Sequence, residues 1–210
     1  MKNILILTAV EKERKAVQDG IGTDPSWQTA LCGFGPVEAA VRTAVLLGTN
    51  KPDIVINAGV AGGFAGRSSI GDTVLGSESI LADLGAESPD GFINAEDLGF
   101  GKNTWHTNIA ESVLPAFPAE TTHVGQILTV STATGTDSGE RNLRIRYPEA
   151  FAEAMEGAGV ASAADAAGIP YLELRTISNK VGPRDLGGWE LSRALTALTD
   201  SLRLLKEALK

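Results

Sequence analysis

The sequence predicts a layered α/β domain, and three observations lead there. Strand-like apolar runs alternate along the chain with segments of helical pattern, the signature of helices laid on a sheet. Several runs are almost continuous in apolar residues, as strands covered on both faces tend to be. The chain has 210 residues, 43% hydrophobic and 21% charged, enough for one domain spanning 1–210 around a substantial core.

The first strand is expected at Ile4 to Thr8. It is too short for a signal peptide, and Glu11-Lys12-Glu13-Arg14-Lys15 follows where a small-residue cleavage site would stand. Further strands are expected at Asp53 to Asn57, Asp72 to Leu81, Val124 to Ser131 and Tyr171 to Ser178. Helices are expected at Glu11 to Gln18, Pro36 to Leu47, Asn103 to Leu114, Pro148 to Ala167 and Trp189 to Leu209. Pro36 and Pro148 suit the first turn of a helix. Cys32-Gly33-Phe34-Gly35-Pro36 reads as a strand-to-helix turn, and Asp83 to Gly101 as a long loop.

Charge and cysteine content exclude several functions. A net charge of -8 with scattered Lys and Arg offers no basic face to nucleic acid or anionic lipid. The single cysteine, Cys32, allows no internal disulfide and fits a reducing compartment; it reads as a small buried hydrophobe. No run approaches the length of a membrane-spanning helix, so a cytoplasmic protein is expected. His106 and His123 lack metal-ligand spacing, and there is no Gly-x-Ser-x-Gly elbow and no phosphate-binding Gly-Lys-Ser/Thr loop. No metal and no cofactor are expected.

Chemistry is left to carboxylates and glycines. Glu156 stands in a stretch, Ala150 to Ala167, that is otherwise nearly all Ala, Gly, Val, Phe and Met and is read as a buried helix. A carboxylate buried there needs a partner, and either a bound ligand or a structural ion pair with an Arg would serve. Glu13 follows the first strand, where ligands gather in open α/β sheets. It is either a solvated helix-face residue or the second of two carboxylates, a pairing that glycosidic bond cleavage commonly uses. The cluster Asn57-Ala58-Gly59-Val60-Ala61-Gly62-Gly63 follows a strand and precedes another, which is not the dinucleotide-binding arrangement. It is either a tight turn or a loop letting backbone approach a ligand through Gly59, Gly62 and Gly63.

Taken in order, Glu13, the Gly59–Gly63 segment, Met155-Glu156 and Ile177-Ser178-Asn179 resemble the nucleoside phosphorylase and nucleosidase superfamily over nearly the whole chain. Thr8-Ala9-Val10-Glu11-Lys12-Glu13 is similar to its nucleosidase branch, which includes methylthioadenosine/S-adenosylhomocysteine nucleosidases. The block Arg175-Thr176-Ile177-Ser178-Asn179, continuing into Val181-Gly182-Pro183-Arg184-Asp185, is similar to the futalosine hydrolases. The resemblance implies a three-layer αβα fold with a mixed central sheet. It implies a homo-oligomer acting on a small nucleoside, with cleavage of futalosine to hypoxanthine in menaquinone biosynthesis. In that reading Glu13 activates water, Glu156 and Met155 hold the ribose, and Ser178 and Asn179 meet the purine. Asn179 stands where nucleosidases for 6-amino purines carry Asp, and an amide suits a 6-oxo base. The substrate's carboxylate tail would meet Arg184, Lys180 or Lys102, Arg being best matched by its fork. No aromatic occurs in Ser131 to Thr136, where related nucleosidases place a Phe near the base. The competing readings are a purine nucleoside phosphorylase, a methylthioadenosine-type nucleosidase, and a non-enzymatic nucleoside sensor. The presence of Glu13 counts against the sensor.

Overall fold

The computed structural model describes residues 2–209. The elements run β1 (Ile4–Thr8), α1 (Glu11–Ile21), β2 (Trp27–Leu31), α2 (Pro36–Thr49), β3 (Ile54–Gly63), β4 (Thr73–Leu81), β5 (Gly85–Ser88), β6 (Gly91–Asn94) and β7 (Thr104–His106). They continue α3 (Ile109–Val113), a 3₁₀ turn (Leu114–Ala116), β8 (Thr122–Thr129), α4 (Asp137–Arg146) and β9 (Ala150–Ala154). The last are α5 (Gly157–Ala166), β10 (Tyr171–Lys180), a 3₁₀ turn (Leu186–Gly188) and α6 (Leu191–Ala208).

The main sheet is mixed, as the resemblance implies. β1 pairs in parallel with β2 and β3, β10 with β3, and β8 with both β4 and β9. β10 with β4, β3 with β9 and β4 with β7 are antiparallel. Because β3 bonds to both β9 and β10, the strands β10, β4, β8, β9 and β3 close into a ring. Each of the five contributes to a small cluster of buried side chains: Ala61, Val74, Ile127, Ala152 and Ile177.

Strand alternation explains the layers. Ile4 and Ile6 of β1, with Ile54 and Ile56 of β3, pack with Val17 of α1 and Leu198, Leu202 and Leu205 of α6. Leu5, Leu7 and Val55 take the opposite face, with Ala39 and Leu47 of α2 and Ala158 and Ala161 of α5. α2 and α5 approach closely because Gly159 has no side chain. A Cβ there would lie 2.2 Å from the Pro36 carbonyl oxygen.

Four expectations need correction. The stretch from Pro148 is not one helix. Pro148 lies in a turn, Ala150–Ala154 is a strand, and α5 begins only at Gly157. A continuous apolar run carries no period to separate strand from helix. Asn103 to Leu114 splits into β7 and the short α3, and Asp83 to Gly101 contains the β5–β6 hairpin. The glycine segment is not a loop: Gly59, Gly62 and Gly63 all lie within the ten-residue β3. Two elements were not anticipated, the edge strand β2 and the helix α4. α4 buries only Leu143, so it shows no apolar stripe, although Thr136 caps it by accepting from the Gly139 N–H at 3.0 Å.

Gly159→Ala should cost roughly 1–3 kcal/mol by overpacking a backbone contact. Thermal denaturation should show a lower Tm, and an unchanged Tm would mean α2 and α5 can separate freely.

Candidate active site

The carboxyl ends of β1, β3, β9 and β10 open onto a cleft of about 720 Å³, within the usual range of small-molecule sites. Glu13, Gly62, Met155, Glu156, Ser178 and Asn179 all line it. Residues far apart in sequence thus converge as the sequence reading requires.

Glu13 is only 4% exposed, so the solvated-face alternative fails. α1 starts directly after β1 and turns its third residue inward. The carboxylate accepts from the N–H groups of Val60 at 2.9 Å, Ala9 at 3.1 Å and Val10 at 3.3 Å. Burial raises its pKa above the ordinary glutamate value, and the nearby Glu156 adds to that rise. Arg175 and the backbone donors oppose the rise without cancelling it.

Glu156 is the N-cap residue of α5, not a mid-helix residue, and is 5% exposed. It accepts from the Gly35 N–H at 3.3 Å, and its other oxygen lies 3.5 Å from Arg175 Nη2. Gly35 holds φ at 84°, a conformation glycine adopts freely. The ion pair with an Arg is therefore present, and the same carboxylate still borders the cleft.

Arg175 is the residue that the sequence reading quoted but did not assign. It is fully buried in β10. Its Nε donates to Glu173 at 2.9 Å and its Nη2 to the side-chain oxygen of Asn57. Asn57 in turn donates to the Leu7 carbonyl at 3.0 Å. Burial works against the charge, but Glu173, Glu156 and Glu13 together hold the Arg175 pKa above its usual value. Nη1 is buried and makes no hydrogen bond. A Cβ on Gly59 would lie 2.6 Å from Glu13 Oε1 and 2.7 Å from Arg175 Nη1. Gly59 therefore serves close packing of these side chains, and Gly63, whose Cβ would meet Ser68 and Ile177, does the same for its neighbours.

At the carboxyl end of β10, Ser178 donates to Asn179 Oδ1 at 2.8 Å, and Asn179 Nδ2 donates to the Lys180 carbonyl at 3.0 Å. These bonds orient the amide and leave it one N–H and one acceptor lone pair. Across the sheet, Asn179 and Glu153 both register with Gly62. Glu153, which the sequence reading missed, accepts from the Thr134 N–H at 2.8 Å and hydroxyl at 2.5 Å. Burial raises its pKa despite those bonds. Met155 is half-buried beside Glu156. Phe34 and Trp189 supply aromatic surface to the cleft, 66% and 42% exposed. Arg184 lies over the Trp189 ring at 5.9 Å and lines the cleft with Lys180. Lys102 is committed elsewhere, pairing with Asp165 at 3.0 Å, and is dropped as a tail ligand. Cys32 is fully buried, and burial, helped by Glu156, pushes its thiol up to about 12, as an inert core residue requires.

The sequence profile of the Phosphorylase superfamily matches residues 28–210. The chain belongs to that superfamily. It is 43% identical to a futalosine hydrolase of Streptomyces coelicolor, the match covering 99% of this chain and 97% of that one. It is 41% identical to a futalosine hydrolase of Acidothermus cellulolyticus, covering 97% and 90%. In fold it is similar to the methylthioadenosine/S-adenosylhomocysteine nucleosidase of Neisseria meningitidis solved with methylthio-immucillin-A. The TM-score there is 0.82 at 22% identity, over 100% of this chain and 99% of the other. No described helix is long and apolar enough to cross a membrane.

Burial of Glu13 has a thermodynamic signature. A carboxyl whose folded pKa exceeds its unfolded value of ~4.3 binds its proton more tightly in the native state. Its stabilising contribution is full below the unfolded value and is lost as pH rises through the folded one. Gln cannot titrate, so Tm of Glu13→Gln minus Tm of wild type should increase from about pH 4 to neutrality. A difference that is flat with pH would contradict the raised value.

Proposed function

We propose that this chain hydrolyses the N-glycosidic bond of futalosine, releasing hypoxanthine and dehypoxanthine futalosine, in menaquinone biosynthesis. The two relatives above, matched over nearly their full length, carry the name futalosine hydrolase. The observation that carries hydrolysis is the floor of the cleft. Glu13 and Glu156 line it, while the buried guanidinium beneath them, Arg175, does not reach the cleft and is already engaged by Glu173 and Glu156. Such a floor repels a phosphate dianion and suits water. This favours a hydrolase over a phosphorylase, which needs uncommitted Arg groups converging on phosphate.

The geometry supports the following roles. Glu13, buried and less acidic than usual, takes a proton from the attacking water. Glu156 accepts from ribose hydroxyls, bonds that strengthen as the sugar becomes oxocarbenium-like. Met155 packs on the sugar. Asn179, aligned by Ser178, donates to O6 and accepts from a protonated N7 of the departing 6-oxo purine. Gly62 leaves room for the base between Asn179 and Glu153. Phe34 or Trp189 offers the stacking surface absent from Ser131 to Thr136, and Arg184 meets the carboxylate tail. The enzyme works in the cytoplasm as a homo-oligomer. An exposed apolar stripe on α2, Val37, Val41 and Val45 at 75%, 57% and 66%, supports association.

Turnover should be equally fast with and without phosphate and should yield a free sugar; a ribose 1-phosphate product would reverse the choice. Glu13→Gln should lose roughly 10²–10⁴ in rate, the usual worth of a general base.

Asn179→Asp should lower kcat/KM on futalosine and raise it relatively on aminodeoxyfutalosine. An ionised carboxylate repels O6 and attracts a 6-amino group, and each buried mismatch costs about 1–3 kcal/mol. An unchanged ratio of the two kcat/KM values would remove Asn179 from base recognition.

A further inference from the structure

Glu173 is a carboxylate that the proposed chemistry does not use. It stands two residues before Arg175 on β10, is completely buried, and does not line the cleft. One oxygen accepts from Arg175 Nε at 2.9 Å. The other accepts from the Ser79 hydroxyl of β4, which is also bonded to Tyr171, and from the Tyr171 hydroxyl at 3.3 Å. The fold makes room for it: a Cβ on Gly157 would lie 2.0 Å from Glu173 Oε2. Gly157 opens α5, so the carboxylate also faces the positive end of that helix. A charge this deep is costly, and here the Arg175 guanidinium and two hydroxyl donors offset the cost.

We propose that Glu173 is a positioning residue for the reaction. It anchors the Arg175 guanidinium by Nε, so that Nη2 meets Asn57 and Glu156 while Nη1, without a partner, is presented beside Glu13 and Gly59. An Arg freed from this anchor could swing toward Glu13 and Glu156 and form a closed ion pair with the base. With Glu173 in place, part of the Arg175 charge is spent away from the cleft, and Glu13 keeps the proton affinity a base needs. The other titratable groups around this centre are Glu156 ahead of α5, Cys32 after β2 and Tyr171 on β10. Cys32 and Tyr171 are held neutral by pKa values raised through burial.

The inference rests on Glu13 being the base, and the full chain tests it by futalosine hydrolysis as a function of pH. Glu173→Gln keeps the shape and an acceptor for Nε but removes the charge. Its kcat should fall roughly 10- to 100-fold, the scale seen for outer partners of metal ligands. KM should change little. The acid limb of the profile should move to lower pH, because Arg175 then bears more strongly on Glu13. Glu173→Asp keeps the charge but draws it back by one methylene, so kcat should fall while the limb stays put. Wild-type kcat and an unmoved limb in Glu173→Gln would overturn the proposal. If that variant does not fold, wild-type kcat in Glu173→Asp would overturn it instead. Full activity in Glu13→Gln would remove the reading of the base itself, whereas an inactive Glu13→Gln beside an indifferent Glu173→Gln removes only the role of Glu173.

Discussion

A single guanidinium, Arg175, organises this protein. It is buried without solvent contact, and a lone buried charge is prohibitively unfavourable. Three carboxyl groups from different parts of the chain gather around it: Glu173 on its own strand, Glu156 ahead of α5, and Glu13 on α1. Much else in the local architecture follows from seating these four side chains. Gly59 is glycine because any side chain would push Glu13 and Arg175 apart, and Gly157 because Glu173 occupies the space of its Cβ. Asn57 spans from Arg175 to the backbone of β1. Removing one partner of such a cluster leaves an uncompensated charge, which typically costs about 3–5 kcal/mol.

The sheet topology exists in service of that cluster and the cleft above it. β10 bonds to β3 on one side and β4 on the other. Arg175 therefore sits in the middle of the sheet, on backbone fixed from both sides, while Asn179, beyond the end of the β4 pairing, is held by β3 alone. β3 carries no large side chain from Gly59 to Gly63, so neighbouring groups close over it. Closure of the ring brings β9 to the far edge of Gly62, which places Glu153 and Met155 across the cleft from Asn179. A flat open sheet would leave β9 remote from β10, and the two ends of the cleft would have no common frame.

Much of this was legible in the sequence, for physical reasons that can be named. β1, β4, β8 and β10 announce themselves as apolar runs, and α2 by Pro36 at its start and Ala39, Thr43 and Leu47 on one face. α4 was hidden because it is mostly solvated, and β9 because alanine-rich sequence reads equally as helix. Glu13, Met155, Glu156, Ser178 and Asn179 were found and do share a cleft, yet Glu156 turned out to cap a helix and not to lie inside one. The glycine segment was read for backbone freedom, whereas Gly59 and Gly63 answer to side-chain packing from other elements. Arg175 and Glu173 were visible as charges in an otherwise apolar strand. Period-two spacing puts them on one face, the signal of a buried ion pair. Glu153 gave no such signal, since its partner Thr134 lies on a separate loop.

The two ends of the cleft are built on different physical terms. The Glu13 and Glu156 end is a set of buried charges gathered on one guanidinium, so that changing one member disturbs the others. The Asn179 end is assembled from local, nearly independent bonds: Ser178 to Asn179, Asn179 to the Lys180 carbonyl, and Thr134 to Glu153. Substitutions there can leave the charge cluster intact, because the groups share no partner with Arg175, and under the proposed roles they would alter which purine is read. Substitutions at the cluster cannot be so confined. Under the roles proposed above, a fold arranged in this way keeps one bond-breaking apparatus and adapts to different bases by changing a single side chain at the end of β10.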